Sequence, residues 1–132
     1  GDLEIRPCVT RTLNIQGFHQ HAEKFGRLAP FGSDAPAVEA LMEGEPGGGD
    51  PLHPRLDVTA GEVVWFVRNE MARTVDDVLS RRSRALLLDA RSAAQAAPAV
   101  ARILADELGR DAGWVQAQTA AFQELAAGYV LD

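Results

Sequence analysis

Apolar residues recur every three or four positions through the second half of this sequence, and this spacing limits the fold more than any other feature. It places the apolar side chains along one face of an α-helix. The first segment of this kind contains Val63, Phe66, Val67, Met71, Thr74, Val75 and Val78. Before it, Thr59 and Glu62 have the three-residue separation of a capping box, in which each side chain binds a backbone N–H group. We therefore predict a helix over about 59–82, which Thr74 and Asp77 can kink by forming a second cap.

Further helices are predicted after this one. Residues 86–96 are rich in Leu and Ala, which favour helix, and Pro98 suits the first turn of a third helix. Gly109 provides a left-handed stop for the third helix, and Asp111 caps the last one. The apolar faces of these two helices consist of Val100, Ile103, Leu104 and Leu108, and of Trp114, Val115, Gln118, Phe122, Leu125 and Tyr129. Helices joined by such short connections are expected to pack as an antiparallel bundle.

Proline and glycine are concentrated in the first half of the chain, where they disfavour long helices. Six of the seven prolines and eight of the twelve glycines lie at or before residue 54. Alternating apolar and polar residues from Val9 to Ile15 predict a short strand, and a short helix is predicted near 34–43. The Gly47–Gly49 run is interpreted as part of a mobile surface loop.

The predicted fold class is therefore mainly α. We expect an antiparallel helical bundle of four to five helices over 59–130, preceded by a loop-rich segment over 1–58 with at most a short strand. The 132 residues fit a single domain over 1–132.

The composition argues against several classes of protein. A net charge of -6 does not suit a nucleic-acid-binding surface, and no apolar run approaches the roughly 20 residues that span a bilayer. The one cysteine, Cys8, cannot form an internal disulfide, so we expect a reducing, cytoplasmic environment. The chain begins at Gly1 without an initiator Met, so we expect a processed product or part of a longer protein.

No residue pattern predicts a catalytic, cofactor-binding or metal site. A nucleotide-binding G-x-G-x-x-G motif is absent. His19 and His21, with Glu23 nearby and Cys8 upstream, could approach a metal. We favour hydrogen-bonded histidines, because a structural zinc site needs four ligands at recurring spacing. A small metal or thiol enzyme around Cys8 is the corresponding alternative.

The candidate contacts with another domain include four arginines: Arg68, Arg81, Arg82 and Arg84. Asp77 stands four residues before Arg81, the favourable order for a helical ion pair. Three roles remain open for Arg81, Arg82 and Arg84: local ion pairs, a protein interface and binding of a small phosphate ligand. Because Trp and Arg dominate interface hot spots, we predict an interdomain contact formed by Trp65, Arg68, Arg81, Arg82 and Arg84.

Residues 62–82 contain the pattern R-x-E-x-A-R-T-x-x-D-x-L-x-R-R. This segment resembles the C-terminal helical domain of FAD-dependent glycerol-3-phosphate dehydrogenases and alpha-glycerophosphate oxidases. The similarity covers roughly 7–127, and shorter stretches agree in order: P-C-V-T at 7–10, G-S-D-A at 32–35, L-H-P at 52–54 and A-L-L-L-D-A at 85–90.

The resemblance implies an accessory domain that packs beside an N-terminal flavin domain of the same polypeptide. The intact enzymes of the family oxidise sn-glycerol 3-phosphate to dihydroxyacetone phosphate, and quinone or oxygen reoxidises their FAD. The resemblance therefore implies no catalytic residue and no cofactor in this chain, and FAD in the intact enzyme. That enzyme would be cytoplasmic or peripheral on the inner membrane face. The alternative is a free-standing helical module that binds another protein.

Overall fold

The computed structural model describes residues 7–130, which fall into two compact units, Gly1–Ala37 and Val38–Asp132. The described part is mainly helical and contains no strand, so the predicted fold class is confirmed. None of the helices in these residues is both long and apolar enough to cross a membrane. The single domain over 1–132 stays a prediction.

The first unit contains a 3₁₀-helical segment, Ala22–Asp34, which is interrupted at Gly26 and Gly32. The predicted strand from Val9 to Ile15 is wrong, because residues 10–12 form a turn in which the Leu13 N–H donates to the Val9 carbonyl at 3.0 Å. A strand needs a neighbouring strand to satisfy its backbone groups. Here Val9 bonds within its own turn instead.

Helix α1 spans Ala35–Gly44, so the short helix predicted near 34–43 is confirmed. The glycine loop after α1 is packed, contrary to the mobile surface loop that we predicted. The Gly48 carbonyl accepts from the Gly61 N–H at 2.8 Å, and a Cβ atom at Gly48 would lie 2.8 Å from the Met42 carbonyl oxygen. Glycine is needed at 48 because the backbone there approaches its neighbours so closely.

Helix α2 spans Ala60–Asn69 and begins at the predicted capping box. The Thr59 N–H donates to Glu62 Oε2 at 2.8 Å, and the Glu62 N–H donates to Thr59 Oγ1 at 3.4 Å. The helix does not continue to residue 82, because Met71 has a left-handed backbone with φ of 57°. Beyond this break the chain forms the π-helix Asp77–Arg82.

The predicted second cap is confirmed at that restart. The Asp77 N–H donates to Thr74 Oγ1 at 3.1 Å, and the Thr74 N–H donates to Asp77 Oδ2 at 3.0 Å.

The remaining helices are α3 (Ala85–Leu88), α4 (Ala90–Leu108) and α5 (Ala112–Ala127). The helix predicted to start at Pro98 is wrong, because α4 passes through Pro98 without a break. Proline cannot donate to the carbonyl four residues earlier, which is that of Ala94. Gln123 of α5 supplies the missing donor, since its Nε2 lies 3.2 Å from the Ala94 oxygen.

The predicted ends of α4 and α5 are confirmed. Gly109 ends α4 with φ of 62°, and Asp111 caps α5 by accepting from the Trp114 N–H at 2.8 Å. Because a three-residue turn joins α4 to α5 and Gln123 reaches back to Ala94, these two helices run antiparallel.

Helix α4 lies at the centre of the bundle, where it contacts α2, α3, α5 and the π-helix. Its fully buried side chains include Ala93, Ala97, Val100, Ala101 and Leu104, and the three alanines allow close approach of the neighbouring helices. On the predicted face of α5, Phe122 is buried, whereas Leu125 and Tyr129 are 39% and 50% exposed. The end of this face therefore remains accessible.

Candidate functional site

Glu70 links two of the predicted contact residues, Trp65 and Arg82. Trp65 Nε1 donates to Glu70 Oε1 at 2.9 Å, and Arg82 Nε lies 3.2 Å from Glu70 Oε2. Arg82 also donates to the Glu70 carbonyl oxygen. Trp65 is 8% exposed, so it offers little surface to another domain. Sequence reasoning overlooked Glu70, although it is the glutamate of the R-x-E pattern.

Arg68 binds carboxylates from two other parts of the second unit. Its Nε and Nη2 atoms donate to the two Glu107 oxygens at 2.8 Å each, and Nη2 lies 3.2 Å from Glu45 Oε1. The hydrogen bonds that Arg68 donates to Glu107 raise the pKa of its guanidinium further above its ordinary value. The end of α2 is thereby held to the end of α4 and to the residue that follows α1.

Asp77 and Arg81 form the helical ion pair that the sequence predicted. Arg81 Nη2 also lies 2.9 Å from Asp76 Oδ2. Asp77 accepts from the Arg73 N–H at 2.9 Å as well as from Thr74. Partial burial acts to raise the pKa of Asp77, but the hydrogen bonds from Arg73, Thr74 and Arg81 outweigh it and lower the pKa.

Arg84 differs from the other predicted contact residues. It is exposed, its backbone is left-handed with φ of 58°, and within residues 7–130 its side chain makes no hydrogen bond or ion pair. The structure therefore joins Trp65 and Arg82 through Glu70, while Arg68 and Arg81 bind other carboxylates. An interdomain contact through these five residues stays a prediction.

Two exposed leucines beside Arg84 were not among the predicted site residues. Leu87 and Leu88 are 67% and 81% exposed, whereas Ala85 and Leu86 of the same helical turn are each 3% exposed. The signal was present in the sequence. Successive residues on a helix diverge by about 100°, so three consecutive leucines cannot all face one core.

A cleft of about 320 Å³ adjoins Leu88. Leu56, Val58 and Ala85 supply its apolar part, and the polar lining is Arg55, Asp57, Ser83 and Asp89. Asp89 caps α4 by accepting from the Ser92 N–H at 3.1 Å, and its Oδ2 lies 2.9 Å from Arg55 Nη2. The hydrogen bonds from Ser92 lower the pKa of Asp89.

His53 ties the loop on the other side of this cleft to α4. Its Nδ1 accepts from the Arg55 N–H at 3.2 Å, so Nε2 carries the proton that is donated to Gln95 Oε1, at 2.8 Å. The L-H-P stretch and the A-L-L-L-D-A stretch are close in space, because Arg55 follows the first and binds Asp89 of the second, whose pKa His53 also lowers. Their polar side chains hold the start of α4 in place.

The predicted alternatives with chemistry of their own belong to the first unit. His19 Nδ1 accepts from the His21 N–H at 2.9 Å, and His21 Nδ1 lies 3.4 Å from Glu23. Cys8 is exposed, and its hydrogen bond with Thr10 lowers its pKa. Among residues 7–130 no group of three or more His, Cys, Asp or Glu side chains is arranged to hold a metal ion.

Two N–H groups of the glycine loop are already engaged and cannot face the pyrophosphate of FAD. A dinucleotide site needs backbone N–H groups that are free to face the phosphates. The Gly48 and Asp50 N–H groups instead donate to the Glu45 and Gly47 carbonyls, at 2.8 and 2.9 Å.

Comparison with known protein families confirms the resemblance. The family model described as the C-terminal domain of alpha-glycerophosphate oxidase matches residues 8–115. No curated protein and no solved structure gives a significant match. The match spans the described bundle as far as the first turn of α5 and includes Arg84, Leu87 and Leu88. The chain therefore belongs to the family of C-terminal domains of alpha-glycerophosphate oxidase.

Proposed function

We propose that this chain is the accessory C-terminal helical domain of an FAD-dependent enzyme that oxidises sn-glycerol 3-phosphate to dihydroxyacetone phosphate. The observation that carries the proposal is the family match over residues 8–115. A C-terminal domain of an oxidase implies an N-terminal catalytic region as its partner. In this proposal that region binds FAD and substrate, and the present chain performs no chemistry by itself.

The contacts of the polar motif support an accessory role. Arg68, Glu70 and Arg82 bind partners within the bundle, as do Arg73, Thr74, Asp77 and Arg81. A catalytic group must be able to reach substrate, whereas these groups are engaged in holding α2, the π-helix and α4 together. Their arrangement suits a rigid body that supports a neighbouring catalytic region.

We further propose a cytoplasmic location, with the intact enzyme either free or bound to the inner membrane face. The free, exposed Cys8 thiol agrees with a reducing compartment.

Two preparations test the proposal: the 132-residue chain and the complete product of its gene. We expect the 132-residue chain to show no flavin absorbance and no dye reduction with glycerol 3-phosphate. The complete gene product is expected to be yellow and to reduce the dye with glycerol 3-phosphate, but not with glycerol. Flavin bound to the 132-residue chain alone, or a complete product without flavin, would contradict the proposal.

A free-standing interaction module is the second candidate, and the exposed Leu87 and Leu88 favour it. The codons upstream of Gly1 separate the two candidates. An oxidase gene contains an FAD-binding region before this segment, whereas the gene of a small module starts close to Gly1.

A further inference from the structure

The surface around α3 combines two exposed leucines with a cleft. Leu87 and Leu88 are 67% and 81% exposed, and Leu88 lines the cleft of about 320 Å³ whose apolar part includes Leu56 and Val58. Adjacent exposed leucines beside an apolar cleft with a polar rim are typical of an interface that a partner covers.

Arg84 adds an uncompensated positive charge to this surface. Of the four arginines in residues 73–84, Arg73, Arg81 and Arg82 bind oxygen atoms of the chain, and Arg84 does not. Its left-handed backbone is disfavoured for a residue with a Cβ atom. Strain of this kind is often retained where a residue has a function outside its own fold.

Two other clefts in the described part of the second unit lack a free positive charge. The cleft beside Phe122 and Leu125 contains Arg81, which already binds Asp76 and Asp77. In the cleft between Pro46 and Ile103, the two glutamates, Glu45 and Glu107, both bind Arg68. Of these three clefts, the one beside Arg84 is therefore best suited to an acidic partner.

We propose that Arg84, Leu87, Leu88 and the adjoining cleft form the surface that docks on the FAD-binding catalytic region of the same enzyme. The occupant is a segment of that region that inserts an apolar side chain into the cleft and places a carboxylate opposite Arg84. This inference rests on the proposed function.

Charge complementarity favours the catalytic region over a second copy of this chain. A symmetric dimer through this surface would bring Arg84 towards the same surface of the other copy. Both carboxylates at the rim already have partners, so neither is free to bind Arg84: Asp89 is engaged by Arg55 and Ser92, and Asp57 is also not free. A partner with its own free carboxylate provides what this surface lacks.

Hydrogen exchange tests the surface in the protein as it exists. Amide exchange is measured by mass spectrometry in the 132-residue chain and in the complete gene product. We expect residues 85–89 to exchange at least about tenfold more slowly in the complete product, because docking suppresses opening of this exposed turn. Equal exchange in the two proteins would overturn the proposed surface.

Variants at exposed positions then test the individual contacts. The Leu87→Gln/Leu88→Gln double variant keeps side chains of similar helix propensity, so the 132-residue chain should retain its melting temperature. In the complete product we expect the double variant to abolish the protection of residues 85–89 and to promote flavin release on heating. The matched control is Leu125→Gln, at an exposed leucine of α5, which should leave both quantities unchanged.

Arg84→Gly provides a second variant with opposite effects in the two proteins. It removes backbone strain, so it should raise the melting temperature of the 132-residue chain. It also removes the free charge, so it should increase exchange of residues 85–89 in the complete product at least about threefold. Arg102→Gln, at an exposed arginine of α4, is the control.

The possible failures are distinguishable. If the gene encodes no FAD-binding region, the proposed function fails, and the inference fails with it. If the region is present but protection lies elsewhere and the variants behave as wild type, the inference fails alone. If the 132-residue chain forms a dimer that Leu87→Gln/Leu88→Gln dissociates, the occupant is a second copy and the inference is overturned.

Discussion

The hydrogen bond between Gln123 and the Ala94 carbonyl should be coupled to the proline inside α4. Pro98 has no N–H group to donate to Ala94, and Gln123 Nε2 occupies that role at 3.2 Å. A Gln123→Met substitution keeps the length of the side chain but removes the donor. The half-buried Ala94 carbonyl then loses its protein partner, so we expect a loss of about 0.5–1.5 kcal/mol in the free energy of unfolding.

Gln123→Met should reduce the free energy of unfolding by less when residue 98 has a backbone N–H group to donate. Pro98→Ala restores the backbone donor and relieves the ring clash, which together cost about 3 kcal/mol in an ordinary helix interior. Because the hydrogen bond from Gln123 already offsets part of the cost of proline, we expect Pro98→Ala to stabilise the chain by about 1–3 kcal/mol. In the Pro98→Ala background, Gln123→Met should cost no more than about 0.5 kcal/mol, since the restored backbone N–H at position 98 satisfies the carbonyl.

A double-mutant cycle measures this coupling. Urea unfolding of the four proteins, followed by the far-ultraviolet circular dichroism of the helices, gives the midpoint and slope for each. We expect a coupling energy of about 0.5–1 kcal/mol with unchanged slopes. The control Gln116→Met changes an exposed glutamine of α5 and should show no coupling to Pro98→Ala. Equal effects of Gln123→Met in both backgrounds would refute the assignment of this hydrogen bond.

Three further predictions concern the second unit. Thr59→Ala removes the buried capping box and should destabilise the chain by about 1–2 kcal/mol in urea unfolding, with Thr59→Ser as the conservative control. Gly48→Ala places a Cβ atom 2.8 Å from the Met42 carbonyl and should cost about 1–3 kcal/mol, whereas Gly44→Ala, where a Cβ meets nothing within 4 Å, should not destabilise. The pKa of Asp77 is lowered by folding, so its stabilising effect is present above the unfolded value of about 3.9 and is lost as the pH falls through the lower folded pKa. Asp77→Asn should therefore reduce the free energy of unfolding at pH 7. Its difference in stability from wild type should shrink towards zero in strong acid. A difference that stayed constant with pH would contradict the lowered pKa of Asp77.

Helix starts and stops were predictable because their causes are local. The capping residues Thr59 and Asp111 and the stop at Gly109 each act on backbone groups within a few positions. The paired cap of Thr74 with Asp77 was also predictable for the same reason. Such features need no knowledge of the tertiary fold.

The errors arose where a distant residue decides the outcome. Pro98 signals a helix start in isolation, but Gln123, which lies 25 positions later, allows α4 to continue through it. The alternating pattern from Val9 to Ile15 does not reveal whether a neighbouring strand exists. The apolar spacing around Met71 suits a helix, yet Met71 is 77% exposed in a left-handed turn.

Sequence reasoning could predict several residues of the candidate site, but it could predict few of the contacts between them. Sequence spacing predicted the pair of Asp77 with Arg81, which the structure confirms. The bidentate contact of Arg68 with Glu107 joins residues 39 positions apart, so no local pattern could indicate it. Leu87 and Leu88 were within reach of sequence reasoning, because a single helical turn cannot bury three consecutive leucines.

The motif that identifies this family and the groups available for its function are different residues. In R-x-E-x-A-R-T-x-x-D-x-L-x-R-R, Arg68 binds Glu45 and Glu107, and the other charged groups bind one another or backbone oxygens. A change at one of them therefore acts first on stability. Arg84, Leu87 and Leu88 lie just beyond the motif. The Arg84 side chain makes no hydrogen bond or ion pair with residues 7–130, and the two leucine side chains are largely exposed. A substitution there should spare the fold and weaken only contacts made with another surface. The two sets of residues therefore separate folding from docking, and a screen of the 132-residue chain for loss of stability would detect the first set and overlook the second.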